Sequence, residues 1–228
     1  MRYELVLFDF DGTLCHTQPA ITYCIKEILI RFGGKQLSDQ EIAQHIGLGC
    51  HLEKGLKKLI SPDLTAEDVT HLTNVYRNIY LAEGSQRTTL FPGVASVLKK
   101  LHAAGKSIAI VSNKYYQSIQ TALDKFQLSA YIHLIIGDKP GAKRKPDLAI
   151  FSEQIQPYFN GIHPQKVLLV GDTATDLLFA NNIGCDSCWA AYGYGEAQNC
   201  LPHHPTYVVQ DLQELLELST EHSHAIIS

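Results

Sequence analysis

Two carboxylates one residue apart, Asp9 and Asp11, close an apolar run, Leu5-Val6-Leu7-Phe8, and stand directly before Gly12. Three later stretches carry polar groups of a complementary kind. Ser112 and Asn113 follow Ile108-Ala109-Ile110-Val111, Lys145 precedes Pro146, and Asp172 and Asp176 follow Val167-Leu168-Leu169-Val170. Carboxylates gathered at one place repel one another unless a cation neutralises them. A hard divalent ion with oxygen ligands, most simply Mg²⁺, suits such a group, because it takes few carboxylates and keeps waters or phosphate oxygens. A hydroxyl, a backbone amide and a lysine on the opposite side would bind an anion. Together these residue types specify phosphate.

That chemistry requires four separated stretches to meet, and the element pattern supplies the means. Short apolar runs read as buried strands. Strands are expected at Leu5–Phe8, Ile108–Val111, Ile132–Ile136, Val167–Val170, Cys185–Ala190 and Tyr207–Val209, with helices between them. Alternation of this kind predicts an α/β fold, a Rossmann-like parallel sheet with helices on both faces. In such a sheet the carboxyl ends of the strands share one edge, where ligands bind. Strict strand alternation would send Asp9 and Asp11 to opposite faces. If the backbone leaves the strand at Asp11, both address one point, and Gly12 provides the freedom for that.

Residues 15 to about 85 break the rhythm. Ile21, Cys24, Ile25, Ile28, Leu29 and Phe32 recur at helical spacing behind Thr17 as cap and Pro19 in the first turn, and Gly33-Gly34 ends the run. Ser38-Asp39-Gln40-Glu41 is a capping box, Leu52, Leu56, Leu59 and Ile60 form a further helical face, and Thr65 opens another. No strand is expected there. The organisation predicted is an α/β core, residues 1–14 and 88–228, with a small all-helical domain inserted at 15–87. Later, a helix over 147–156 and a last helix capped by Asp211 are expected, then a frayed tail from Ser219.

Composition narrows the class. The hydrophobic share is 45%, the charged share 18% and the net charge −4, which leaves no basic footprint for nucleic acid. No apolar run is long enough to span a bilayer and no signal peptide is visible, so a cytoplasmic protein without a membrane or nucleic-acid partner is expected. The six cysteines are scattered, and Cys185-x-x-Cys188 falls inside a strand pattern rather than at a helix start, so buried thiols are expected rather than a redox pair.

At its polar strand ends the chain resembles the haloacid dehalogenase-like phosphohydrolase (HAD) superfamily. Asp9-Phe10-Asp11-Gly12-Thr13-Leu14 looks like the first motif, Ser112-Asn113-Lys114 the second, Lys145-Pro146-Asp147 the third and Gly171-Asp172-Thr173-Ala174-Thr175-Asp176 the fourth. The helical insert resembles the C1 cap, and Leu90 to Lys114 looks closest to the phosphoglycolate phosphatase-like branch. The resemblance implies a phosphatase acting on a small phosphorylated metabolite through an aspartyl-phosphate, as a monomer or homodimer. Asp9 would be the nucleophile, and Asp11 the acid for the leaving group and then the base for water. Mg²⁺ would be held by Asp9, the Asp11 backbone carbonyl and Asp172, with Asp176 and Thr13 supporting from behind. Ser112, the Asn113 amide and Lys145 would bind the phosphoryl group.

Each residue has a bland alternative. Asp9 and Asp11 could be turn residues, Ser112-Asn113 a helix cap in either case, Asp172 an N-cap, and Asp176 a solvated helix residue. Coincidence at four successive strand ends is what favours the active-site reading. Lys143 is the alternative to Lys145, since Leu148 stands where the resembling motif has a second proline. The branch usually continues past Asp-Gly-Thr-Leu with Asp-Ser, whereas this chain has Cys15-His16-Thr17; an exposed loop histidine is expected at 16, with a substrate contact as the alternative. His45, His51 and Gly47-Leu48-Gly49 fall where a cap loop would meet the site, and His203-His204 read as surface residues. A phosphosugar mutase, a pyrophosphatase or nucleotidase, and a non-catalytic phosphate-binding domain are the competing functions. Dehalogenase and phosphonate hydrolase chemistry fit the residues poorly.

Overall fold

The computed structural model describes residues 2–32, 35–47 and 52–218. Six parallel strands form the main sheet: β1 (Leu5–Phe8), β4 (Ser107–Tyr115), β5 (Leu134–Asp138), β6 (Val167–Gly171), β7 (Asp186–Ala190) and β8 (Tyr207–Val209). Their order is β5-β4-β1-β6-β7-β8, so β1 lies inside the sheet between β4 and β6. Leu5 pairs with Ser107 on one side and Val167 on the other. All four β1 residues are buried, which is why the run has no polar alternation. Val6 and Phe8 join a core with α5 (Val94–Ala103) and α6 (Tyr116–Lys125). Leu5 and Leu7 join a second core with Phe151, Ile155 and α8 (Ala174–Ile183). The sheet is thus covered on both faces, as expected for an α/β fold.

Helices α1 (Gln18–Arg31), α2 (Asp39–Gly47), α3 (Leu52–Leu59) and α4 (Ala66–Ala82) follow β1 and bury their own cluster, in which Cys24, Ile28, Ile42, Leu56, Leu72 and Tyr80 are enclosed. The helical periodicity is legible because each helix has one apolar face. The capping boxes at Ser38/Glu41 and Thr65/Asp68 both form. Thr17 is the N-cap of α1 but its hydroxyl makes no cap bond.

Four expectations need correction. The insert is not purely helical at its margins: β2 (Cys15–His16) pairs antiparallel with β3 (Thr89–Leu90), a two-residue ribbon too short to show a period, where the chain leaves and re-enters the core. The expected strand at Ile132–Ile136 forms two residues later, as β5. The helix expected over 147–156 is a π-helical turn, Phe151–Ile155, running into α7 (Gln156–Tyr158). Pro157 has no N–H for an ordinary i→i−4 bond, and the ladder shifts there. The last helix is of the tighter 3₁₀ kind, Leu212–Glu217, capped as expected by Asp211, which accepts from Gln213 N–H. Cys15, Cys24, Cys185, Cys188 and Cys200 are free thiols. The expectations at Gly33-Gly34, the His45 side chain, residues 48–49, His51 and the tail from 219 lie outside the described residues.

Candidate active site

The chain leaves the sheet immediately after β1. The Asp9 N–H still donates to Val170 O at 2.9 Å, but the N–H groups of Leu14 and Cys15 both turn back to Phe10 O, at 3.1 and 2.9 Å. Gly12 closes this turn at φ +81°, a left-handed conformation that side chains disfavour. A Cβ there would lie 2.1 Å from Asp172 Oδ2, so the turn approaches β6 as only glycine permits.

Asp172 and Asp176 come from the end of β6 and the first turn of α8. One carboxylate oxygen each from Asp9, Asp172 and Asp176 lies within 4.8 Å of the others, and all three residues are buried. Burial pushes the Asp9 carboxyl up to about 6; Lys145 pulls it down and Asp176 pushes it further up. Burial, then Asp176 and Asp9, hold Asp172 well above the carboxylate range, against the Tyr194 N–H and Thr13 hydroxyl bonds. One ammonium, that of Lys145, faces two of these carboxylates, Asp9 and Asp176, so ionising all three leaves negative charge in excess. Such an all-oxygen acidic donor set fits a small divalent cation such as Mg²⁺.

Each carboxylate is fixed from several sides. Thr13 Oγ1 donates to Asp172 Oδ1 at 2.9 Å and the Tyr194 N–H donates to Oδ2 at 2.8 Å. The Trp189 indole donates to the Asp172 carbonyl at 2.9 Å. Asp176 divides its oxygens: Oδ2 accepts from the Thr173 N–H and hydroxyl, capping α8, while Oδ1 accepts from Lys145 at 2.5 Å. Asp172 is therefore not the N-cap and Asp176 not a solvated residue.

Lys145 Nζ lies 2.8 Å from Asp9 Oδ1, with its side chain 3% exposed. Desolvation opposes its charge, but Asp176 and Asp9 outweigh it and raise its pKa. Lys143 is 55% exposed and faces Asp147 at 3.5 Å, away from this cluster. Asn113 selects between the two lysines: its Oδ1 accepts from the Lys145 N–H at 2.9 Å and its Nδ2 donates to Lys145 O at 3.2 Å. The expected capping by Ser112-Asn113 does not occur. β4 continues to Tyr115 through a register shift after Val111, Tyr115 is the residue before α6, and Ser112 Oγ accepts from the Lys114 N–H instead. That irregularity leaves Ser112 at the sheet edge beside Asp9, both lining one cavity.

Asp11 stands apart from the three-carboxylate cluster. Its oxygens face Lys114 Nζ, at 2.9 and 3.2 Å. Lys114 is 6% exposed and its ammonium lies 4.1 Å from the centre of the Tyr80 ring, on α4. Sequence reasoning used Lys114 only as a motif letter. The available signal was a lysine two residues after Ser112, inside a stretch already singled out as a candidate strand end. His16 is also corrected: it lies in β2, with its ring 5.6 Å from Phe91 and its Nδ1 3.3 Å from the Tyr194 hydroxyl, so it is a packed, half-buried strand residue rather than an exposed loop one. Tyr194 further accepts from the N–H groups of Thr17 and Gln18 at 2.7 and 2.9 Å, joining the start of α1 to the Asp172 loop.

A cavity of about 180 Å³ separates the inserted helices from the sheet edge, with Asp9, Asp11, Ser112 and Lys145 on its floor. A charge chain closes one side. Arg77 of α4 pairs with Asp138 at 2.5 Å; Asp138 accepts from Arg144 Nε at 2.6 Å; Arg144 makes a fork to Glu53 of α3 at 2.8 and 2.5 Å. Two residues of the insert and two of the core alternate in sign, which ties the helices over the cavity. Among the described residues no helix is long and apolar enough to cross a membrane.

Comparison with known proteins agrees with this geometry. The family model for haloacid dehalogenase-like hydrolases matches residues 6–190. The chain is 29% identical over 226 residues to phosphoglycolate phosphatase 1 of Pseudomonas aeruginosa, covering 98% of this chain and 82% of that one. It is 26% identical over 219 residues to the phosphoglycolate phosphatase of Vibrio parahaemolyticus, covering 94% and 95%. Among solved structures it is similar to a predicted phosphoglycolate phosphatase from Haemophilus somnus (25% identity, TM-score 0.82, 95% of this chain and 98% of that one). A haloacid dehalogenase-like family hydrolase from Streptococcus pneumoniae, at 23% identity and TM-score 0.81 over 95% and 98%, shares the fold. With four ordered polar strand ends converging on one buried site, and a family model spanning most of its length, the chain belongs to the haloacid dehalogenase-like hydrolases.

Proposed function

We propose that this protein is a phosphatase, a phosphoric monoester hydrolase that cleaves a small phosphorylated metabolite through an aspartyl-phosphate on Asp9. The single observation that carries the reading is Asp9 itself: a buried carboxylate within 2.8 Å of an ammonium, beside two further carboxylates. A carboxylate so placed can approach an anionic phosphorus only where positive charge offsets the repulsion. Asp9 Oδ attacks phosphorus, the bond from phosphorus to the ester oxygen breaks, and Asp11 hands its proton to that oxygen. Water then attacks phosphorus and gives a proton back to Asp11, the bond from phosphorus to Asp9 Oδ breaks to restore the carboxylate, and inorganic phosphate leaves. Ser112 and the Asn113 amide orient the phosphoryl oxygens, and Lys145 balances charge on Asp9 and on the group in transit. Asp9, Asp172 and the Asp11 carbonyl would hold Mg²⁺, with Asp176 and Thr13 keeping those residues in place. When bound, the ion supplies charge neutralisation to the transferring phosphoryl group. Residues 15–87 act as the cap that excludes water over a core made of 1–14 and 88–228. The names of the relatives make phosphoglycolate the reference substrate.

The test is release of inorganic phosphate from phosphoglycolate and from an aryl phosphate, with Mg²⁺ and with chelator. Turnover that disappears with chelator, together with an acid-stable, hydroxylamine-sensitive label on Asp9 in a rapid quench, supports the reading. Turnover unaffected by chelator removes the metal from it, and an unlabelled Asp9 removes the intermediate.

Lys114→Met is expected to lower kcat by roughly 10- to 100-fold, a part of what a positioned acid–base group contributes, with KM changed less than threefold. Asp11 then loses the ammonium that binds its carboxylate. Steady-state kinetics decide this, and an unchanged kcat would free Asp11 from any dependence on Lys114.

A further inference from the structure

The cavity that holds the carboxylates is also lined by apolar side chains from the helices: Ile21 and Ile25 of α1, Leu52, Leu56 and Leu59 of α3, and Tyr76 of α4. The cations that line the cavity among the described residues are each paired already. Lys145 faces Asp9 and Asp176, Lys114 faces Asp11, and Arg77 faces Asp138. The Tyr80 hydroxyl is shared with Thr88 Oγ1 at 2.9 Å. An anionic leaving group would have to compete with a protein carboxylate for any of these charges. An apolar one would be transferred from water onto aliphatic surface, which is favourable in proportion to the area covered. The buried Arg77 Nε, which has no hydrogen-bond partner, offers one donor to a neutral oxygen on such a group. Size agrees: an apolar cavity of about 150 Å³ admits benzene, and this one measures about 180 Å³ including the phosphoryl end.

We propose that the leaving group of the preferred substrate is apolar, with the bulk of a short alkyl chain or a single aromatic ring, and that the cap wall selects it. The inference rests on the phosphatase reading above and adds the substrate class. Contacts made by the non-reacting part of a substrate raise kcat/KM, so the wall gives a graded signature. Gly55 lines the same cavity, and a Cβ built there meets no atom within 4 Å. Gly55→Leu therefore fills the cavity while improving the helix propensity of α3.

The experiment is a homologous series of n-alkyl phosphates, methyl to octyl, run beside phosphoglycolate with wild type and Gly55→Leu. In wild type kcat/KM is expected to rise about fourfold per methylene, the equivalent of roughly 0.8 kcal/mol. It should level off near four to six carbons, with phosphoglycolate at least tenfold below butyl phosphate. In Gly55→Leu the plateau should arrive at a shorter chain. A flat or falling series, or a preference for phosphoglycolate, overturns the inference and leaves the phosphatase reading standing. An identical profile in Gly55→Leu also overturns it, because the cavity would not then house the leaving group. Absence of hydrolysis of every ester, aryl phosphates included, removes the phosphatase reading and this inference with it.

Discussion

Asp9→Asn is expected to lower turnover by roughly 10⁴- to 10⁶-fold, the range seen when an enzyme loses its nucleophile, while the protein stays folded. The expectation of retained folding comes from the electrostatics of the site. Asp9 is one of three clustered buried carboxylates, and burial pushes its carboxyl up to about 6 against the pull of Lys145, with a further push from Asp176. Asparagine is close in shape and removes one of the repelling charges. Lys145 keeps its 2.5 Å contact with Asp176, so no buried charge is left alone. Activity and folding should therefore separate cleanly: no phosphate release above background, a melting temperature equal to or above wild type, and loss of the covalent label from a rapid quench. Activity within tenfold of wild type would show that another group attacks phosphorus.

Lys145→Ala and Lys143→Ala form the second large contrast. Lys145 is 3% exposed and is the ammonium that faces Asp9 and Asp176. Removing one partner of a buried ion pair typically destabilises by about 3–5 kcal/mol, because the remaining charge stays buried and uncompensated. Here two carboxylates lose their partner together. Lys145→Ala should lower activity by at least about 10³-fold, since attack by Asp9 loses its charge compensation, and should shift the urea midpoint markedly downward. High Mg²⁺ should recover part of the stability. Lys143 is 55% exposed with one distant partner, and exposed pairs of that kind contribute little. Lys143→Ala should leave kinetics and the urea midpoint as in wild type. Reversal of the two phenotypes would transfer the assignment to Lys143.

The choice between these lysines shows where a sequence becomes ambiguous. Both lie in one polar loop, and the motif shape alone pointed to Lys145 with a mismatch at Leu148. The deciding contact is made by Asn113, which clamps the Lys145 backbone from another strand. His16 carries the same lesson. Its neighbours in sequence say loop, while Phe91 and Tyr194, far along the chain, pack around it. The two-residue ribbon of β2 and β3 was invisible because a period needs more than two residues to show. The π-helical turn before Pro157 was missed because periodicity does not distinguish one helix register from another.

What the sequence determined by itself is what local physics writes into it. Apolar runs of strand length, helical apolar faces with their caps, and glycine or proline punctuation set the order of elements, and that order places Asp9, Ser112 and Asp172 at one sheet edge. Only the tertiary structure decided how the charges are shared. Lys114 reaches Asp11 across 103 residues and Lys145 reaches Asp9 across 136. Asp176 splits its oxygens between a helix cap and a lysine, and Glu53, Arg144, Asp138 and Arg77 tie insert to core. Charge pairing depends on distance and burial in space. Neither is a property of a residue's neighbours along the chain, so the sequence paired Asp9 with a lysine and left Asp11 without one, and only the fold placed Lys114 against Asp11.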